Sequence, residues 1–458
     1  MKKNILLSPM KNLLQYMKLI ENIEDYGTPV GVHGISDTQK SHIVYGLYEN
    51  LNRSICILTY NNLEAQQIYQ DLKYYLEDRV LFFPSKDIIF YDIEAFSSET
   101  DIERTRTLNK LTEDKNHVVV ASLESLLLRT TPVDIYKKYK LRFKLGERID
   151  LEDAIQTMII QGYERTEGIE KVGEFSIRGG IIDIFPPTEE YPIRIELFDD
   201  EIDSIRYFSV GTQKSIEKIE EVNIYPATEI IIEPGLEENA IAKLKKELEN
   251  NLKKIPQEIG ESLKKRIFEA IEKFENLGNF NGSQQFIHYI YEETNTFLDY
   301  LPSDTIILLD ELDRGKEKVR GLNTEFQDNF KTLLERGQVL PNQISIISKY
   351  EDLIPKLKEY PLITISLLPK NQRDFPPKEI INFTSRPIQN FRGKIQNLIE
   401  EIKSLITRGY QMVLMVNTKE KALKLLEALR DDNIPVSFVV RGEEEPQSNK
   451  VLILQGDM

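Results

Sequence analysis

Cysteine is almost missing from this chain: Cys56 is the single one in 458 residues. No intramolecular disulfide can form, which suits a reducing cytoplasm. Long apolar runs are missing too. None approaches the ~20 residues that span a bilayer. The opening MKKNILLSPMKNLLQYMK is basic but has only interrupted apolar pairs, not the apolar core of a signal peptide. No membrane partner is expected. Histidine is sparse, and His33, His42, His117 and His288 are scattered, so with one cysteine no zinc-type cluster and no bound metal are expected. Positive charge is short as well: 59 Lys and Arg face 75 Asp and Glu, for a net charge of −16. That balance opposes non-specific binding to nucleic acid, which depends on neutralising phosphates.

What remains is a chain long enough for about three or four domains, with ordinary core material at 40% hydrophobic residues. Its most sharply patterned stretch is GEFSIRGGIIDIFPPTEEYPIRIELFDDEIDSIRYF, residues 173–208. EFSIR alternates, with Phe175 and Ile177 on one face and Glu174, Ser176 and Arg178 on the other. Gly179-Gly180 reads as a hairpin turn, because glycine accepts a positive φ cheaply. IRIELF alternates again, Ile193, Ile195 and Leu197 opposite Arg194, Glu196 and Phe198. Asp199-Asp200-Glu201 turns the chain into a third strand through Ile205 to Phe208. A small antiparallel sheet follows, apolar on one side and showing Arg178, Arg194 and an aromatic, Phe198, on the other. From Lys171 to Phe208 there are four basic and nine acidic residues, a local charge of −5. The two arginines belong to no broad basic patch, which favours a protein partner over a DNA backbone.

Residues 1–135 alternate strands (PVGVHG, ICILTY, VLFFP, HVVVAS) with helices, the first capped by Ser36 or Asp37, and predict a parallel sheet covered by helices. Residues 136–225 place a helix, RIDLEDAIQTMIIQGY, before the patterned strands and read as an inserted α+β domain. Residues 226–365 are helix-rich, with Leu236–Asn276 broken by Pro256 and Gly260. They also hold two further apolar strands, IILLDELDR and PLITISLL, that can continue the first sheet across the insertion. Residues 366–392 carry four prolines and little periodicity and read as a linker. Residues 393–458 read as a second, small α/β unit that stops directly after a strand, which suggests a piece of a longer protein.

The turn after the first strand has the context of a P-loop, G-x-x-x-x-G-K-[ST], but not its chemistry. Counted from Gly31, Ser36 replaces the second glycine and Asp37 the lysine, while Thr38 keeps the hydroxyl. Counted from Gly34, Gln39 replaces the glycine while Lys40 and Ser41 match. An aspartate would face triphosphate oxygens, and a glutamine would obstruct close phosphate approach. A purely structural turn accounts for these substitutions better than a working nucleotide site. Asp310-Glu311 ends an apolar strand as a Walker B acid pair does, but many apolar strands end in acids.

Together the turn, the inserted sheet and the Asp-Glu strand resemble the N-terminal half of the transcription-repair coupling factor (Mfd) family. GEFSIRGGIIDIFPP and YPIRIELFDDEIDSIRYF resemble the domain that this family shares with the excision-repair protein UvrB, in both of which it docks UvrA. The resemblance implies a degenerate P-loop-type α/β domain split into two parts (1A and 1B), an inserted UvrA-binding domain 2, and a small α/β domain 3. GVHGISDT in place of an intact P-loop favours this family over UvrB. So does FFPSKDIIFYDIEAFSSETDIERTR, which leaves no room for UvrB's long aromatic hairpin and makes Tyr91 and Phe96 ordinary loop aromatics. By motif, the resemblance assigns UvrA contacts to Arg178, Arg194 and Phe198. It also implies that RNA polymerase binding and an ATP- and magnesium-dependent DNA translocase belong to a C-terminal half, which masks the docking face at rest. No cofactor and no enzymatic activity are expected of these 458 residues.

Three functions compete. As a recruitment module, the chain would set Arg178 and Arg194 against acidic or carbonyl groups of UvrA, with Phe198 in an apolar pocket. The plainer alternative pairs both arginines with Glu196, Asp183 or Asp203 across strands, worth about 0.2–1 kcal/mol each. As a UvrB-like ATP-dependent helicase using Lys40-Ser41, it would bind magnesium-ATP saturably and lose that binding in Lys40→Ala. As a DNA binder, its affinity would fall steeply with salt.

Overall fold

The computed structural model describes residues 5–25, 27–87, 98–370, 372–385, 391, 395–439 and 449–455. Tyr91, Phe96 and Pro387 lie outside the described residues, as does the side chain of Asp37. In chain order, α1 (Leu14–Glu24) precedes β1 (Val30–His33), α2 (Asp37–Leu51), β2 (Ile55–Thr59), α3 (Asn62–Leu76), β3 (Val80–Phe83), α4 (Ser98–Leu111) and β4 (Val118–Ser122). Then come β5 (Leu141–Lys144), α5 (Leu151–Ile160), β6 (Glu164–Arg165), β7 (Glu174–Arg178), β8 (Ile181–Ile184), β9 (Ile193–Phe198), β10 (Glu201–Phe208), β11 (Ser215–Ile219) and β12 (Glu221–Ile224). Two long helices, α6 (Leu236–Leu252) and α7 (Gln257–Leu277), lead to β13 (Ile306–Asp310), α8 (Leu312–Glu335), β14 (Leu362–Ser366) and β15 (Glu379–Asn382). The chain continues as α9 (Ile395–Thr407), β16 (Met412–Val416), α10 (Lys419–Asp431), β17 (Val436–Val439) and β18 (Val451–Gln455).

Strands from two separated stretches form one seven-stranded sheet in the order β15-β1-β14-β13-β2-β4-β3, every pair parallel. Its central strands are unbroken apolar runs because both faces are covered. Ile55, Ile57, Ile306, Leu308, Ile363 and Ile365 pack under α1, α2 and α3. Cys56, Leu58, Ile307, Leu309 and Leu362 face the opposite core with Leu312 and Val319 of α8. IILLD and LITIS thus extend the first sheet across the insertion. The stretch read as a linker does more than connect: β15 within it adds to the sheet edge beside β1, with Val30 opposite Glu379 and Val32 opposite Ile381. Four residues are too few for periodicity to stand out among prolines. Gly260 lies inside α7 and does not break it. A Cβ there would sit 3.0 Å from Leu252 Cδ2, so glycine lets α6 and α7 approach closely.

The inserted strands form a six-stranded sheet, β11-β10-β9-β8-β7-β6, antiparallel except for β6 beside β7. Phe175, Ile182, Ile184, Ile193, Ile195, Ile202 and Ile205 turn one face inward against Ala154 and Met158 of α5. Asp150 caps that helix, accepting from the N–H groups of Glu152 (2.9 Å) and Asp153 (3.1 Å). The β7–β8 turn places Gly179 at φ +60° and brings Gly180 so near β9 that a Cβ would lie 2.8 Å from the Leu197 carbonyl oxygen. β10 starts at Glu201, earlier than expected, and Asp203 bulges out of its pairing with β9.

β16, β18 and β17 make a three-stranded parallel sheet with α9 and α10 against one face. Leu452 and Leu454 on the other face meet Ile5, and Tyr74 Oη donates to the Gln455 carbonyl at 2.8 Å.

Where the chain leaves the inserted sheet, Glu229 is clamped by Arg104 of α4. Nε and Nη2 donate to its two carboxylate oxygens at 2.7 and 3.0 Å. Arg104 also donates from Nη1 to the Pro84 carbonyl at 2.8 Å and lies 4.0 Å over the Phe83 ring. Both side chains are buried. Burial opposes ionisation of Glu229, but the Arg104 charge and hydrogen bonds outweigh it and hold the carboxyl below its usual range. Breaking such a pair leaves an uncompensated charge, so Arg104→Ala should lose about 3–5 kcal/mol of stability. Urea denaturation followed by circular dichroism measures this; a loss under about 1 kcal/mol would mean that the pair is not a structural anchor.

Candidate docking face on the inserted sheet

The strand register decides what the sheet shows on the side away from its core. Ser176, Asp183, Arg194, Arg206 and Lys218 align across β7 to β11. Arg178, Ile181, Glu196 and Ser204 form the next row. Phe198 follows two residues beyond Glu196 at the end of β9, its side chain 80% exposed. A phenylalanine so exposed contributes little apolar burial to this fold.

The two arginines read from the sequence converge on one carboxylate. Arg194 donates from Nε and Nη2 to Asp183 Oδ1 and Oδ2 at 2.6 and 2.8 Å, and from Nη2 to Gln213 Oε1 at 2.9 Å. Its guanidinium lies 4.4 Å over the Phe208 ring, and its side chain is only 14% exposed. Arg178 reaches the same Asp183 Oδ2 at 2.9 Å but remains 57% exposed. The cross-strand pairing weighed against docking is therefore present, with Asp183 as the acceptor. Glu196 instead takes both terminal nitrogens of Arg206 and the Ser204 hydroxyl. Gln213, Phe208 and Arg206 were not singled out by the sequence: the first lies in a turn, and the other two differ from ordinary strand residues only through register. Of the three expected anchors, Phe198 and Arg178 present side chains outward, while Arg194 is largely committed within the sheet.

At the turn after β1, Gly31 lies inside the strand, and the chain reaches α2 quickly. Only Ile35 and Ser36 separate Gly34 from the helix start at Asp37. Ser36 N donates to Gln39 Oε1 at 3.0 Å, so Gln39 completes a helix cap and Thr38 falls in the first helical turn. Gly34 has φ +80°, and a Cβ there would meet the Phe383 carbonyl oxygen at 2.1 Å. Lys40 Nζ is buried against Asp310 Oδ2 at 3.0 Å and Glu64 Oε1 at 3.4 Å. Ser41 Oγ donates to Asp71 Oδ2 at 3.2 Å. Burial pushes the Asp310 carboxyl up to about 6, with Lys40 pulling the other way, and its Oδ1 has no hydrogen-bond partner. Glu311 turns elsewhere, accepting from Leu367 N at 2.8 Å and Lys370 Nζ at 2.7 Å. The structure thus brings Lys40 and Asp310 together and separates Glu311 from them.

Among the described residues, no group of three or more His, Cys, Asp or Glu could hold a metal ion, and no helix is long and apolar enough to cross a membrane.

Residues 141–230 match the UvrB interaction domain family, covering β5 to β12 and the segment that carries Glu229. The chain is 32% identical over 427 residues to a transcription-repair-coupling factor of Bacillus subtilis, which covers 93% of this chain. Over nearly its whole length, the chain is similar to transcription-repair-coupling factors. Proteins of the same name from Staphylococcus haemolyticus (30% over 429 residues) and Staphylococcus aureus (31% over 432 residues) match the same 93% of the chain. The chain spans about a third, 36%, of the length of these relatives. Inside the matched segment, Phe198 and Arg178 are the exposed members of the expected set on the outer face of the sheet.

The same face supplies a pH test of its geometry. Hydrogen bonds from Arg206 and then Ser204 hold the Glu196 carboxyl down to about 2. A depressed pKa stabilises the fold above the unfolded value, about 4.3, and that contribution disappears as pH falls through about 2. Glu196→Gln should therefore be less stable than the parent at pH 7, with the gap closing between pH 4.5 and 2. Thermal melts across this range check it; a pH-independent gap would mean that Glu196 acts through packing rather than charge.

Proposed function

We propose that this chain is a non-catalytic recruitment module that docks UvrA on the outer face of its inserted sheet. In the full-length protein it would bring UvrA to a stalled RNA polymerase for transcription-coupled excision repair. Contacts with polymerase and DNA, and the ATP-driven translocase activity, would belong to the other parts of that protein. The observation that carries this reading is the exposure of Phe198 and Arg178 on the same sheet face, inside the segment matched by the UvrB interaction domain family. Aromatic and arginine side chains dominate the energetics of protein interfaces. An exposed apolar ring gains from burial in a partner pocket, and Arg178 retains donors for carboxylate or carbonyl groups.

The first turn supports the non-catalytic part of the reading. A triphosphate needs an open loop of backbone N–H groups and a lysine that reaches into it. Here the helix begins three residues after Gly34, the Phe383 carbonyl crowds that glycine, and Lys40 already pairs with Asp310. These residues do not fit ATP and magnesium, so no chemical step is assigned to them. The sheet would be a scaffold inherited from a nucleotide-binding frame, with a cytoplasmic site of action.

Titration of the purified 458-residue chain with purified UvrA tests the proposal. Phe198→Ala and Arg178→Ala should each weaken binding by about 2 kcal/mol or more if they are interface anchors. Parent-like affinity in both variants would place the docking surface elsewhere.

A further inference from the structure

We infer that Asp183 is a positioning residue for the docking face, one buried carboxylate that fixes Arg178 and Arg194 relative to each other before the partner arrives. This rests on the docking reading above. Asp183 lies between Ile182 and Ile184, both buried, and opposite Ser176 on one neighbour strand and Arg194 on the other. Its side chain is 3% exposed, so a protein bound on the outer face meets the arginines and not the carboxylate.

Both of its oxygens are in use. Oδ1 accepts from Arg194 Nε at 2.6 Å, and Oδ2 accepts from Arg194 Nη2 at 2.8 Å and Arg178 Nη2 at 2.9 Å. Two guanidinium groups that share one oxygen repel each other unless a negative charge lies between them. Arg194 has further holds in Gln213 and the Phe208 ring. Arg178 has none of these, and Asp183 is its ion-pair partner among the described residues. Without Asp183, the long Arg178 side chain would sample many rotamers and would have to be ordered on binding, which lowers affinity. Arg178 gives Asp183 a single bond from Nη2 and, at 57% exposure, keeps further N–H groups for a partner.

The test uses purified UvrA and the full 458-residue chain. Asp183→Asn keeps the shape and removes the charge. It should bind UvrA about 2- to 10-fold more weakly, the scale expected when one pre-ordered side chain becomes mobile. A double-mutant cycle separates positioning from general damage. The loss should shrink markedly in an Arg178→Ala background, because the arm that Asp183 holds is gone, and should persist in a Phe198→Ala background. If thermal melting shows that Asp183→Asn is unfolded, Asp183→Glu takes its place: a carboxylate displaced by one methylene should give the same weakening and the same coupling to Arg178. Parent-like affinity in the folded variant, or a loss of equal size in both backgrounds, overturns the inference while leaving the docking reading intact. If Arg178→Ala and Phe198→Ala themselves bind UvrA as tightly as the parent, the docking reading fails and this inference fails with it.

Discussion

The Arg104–Glu229 pair holds together a fold whose two main sheets are interleaved in sequence. The seven-stranded sheet is built from residues before 123 and after 305, and the inserted sheet is spun out between them. Such an arrangement works only if the returning segment is fixed. Glu229 lies in that segment, Arg104 on a helix of the first half, and neither has appreciable access to water. Burying two charges costs several kcal/mol each, and only near-ideal geometry offsets it. The fork-to-fork contact, the Pro84 carbonyl and the Phe83 ring supply that geometry. The inserted sheet is thereby presented from a fixed base.

Two buried ion clusters then divide the roles of the molecule. At the first turn, Lys40 Nζ is held between Asp310 Oδ2 at 3.0 Å and Glu64 Oε1 at 3.4 Å, away from water. On the inserted sheet, Asp183 draws two arginines together but leaves Arg178 largely open to solvent, on the face that also carries the exposed Phe198. One cluster turns inward and the other outward. The first lies between a sheet and its helices, whereas in the second Asp183 is buried and Arg178 stays 57% exposed.

Much of the fold was legible in the sequence. Unbroken apolar runs such as ICILT and IILLD gave buried parallel strands, and the alternation in EFSIR and IRIELF gave a sheet with one solvated face, because side-chain period follows directly from strand geometry. Phe198 stood out for the same reason, an aromatic at a polar position. The rest depended on register and on contacts between distant residues. Nothing local marks Arg104 as the partner of Glu229, 125 residues away, or Gln213 as an acceptor for Arg194. β15 was hidden by its short length among prolines, and Gly260 read as a breaker because its tight contact with Leu252 is a tertiary fact. The identity of the carboxylate that pairs the arginines could be narrowed to three by spacing, but only the strand register selects Asp183.

The central claim is that UvrA is received on the outer face of the inserted sheet. Hydrogen–deuterium exchange of the chain with and without UvrA tests it most directly. The account predicts added protection concentrated in β7 to β10, with the turn at Asp199–Glu201 included, and no change at the β1–α2 turn. Protection absent from these strands, or centred on the seven-stranded sheet, would contradict it.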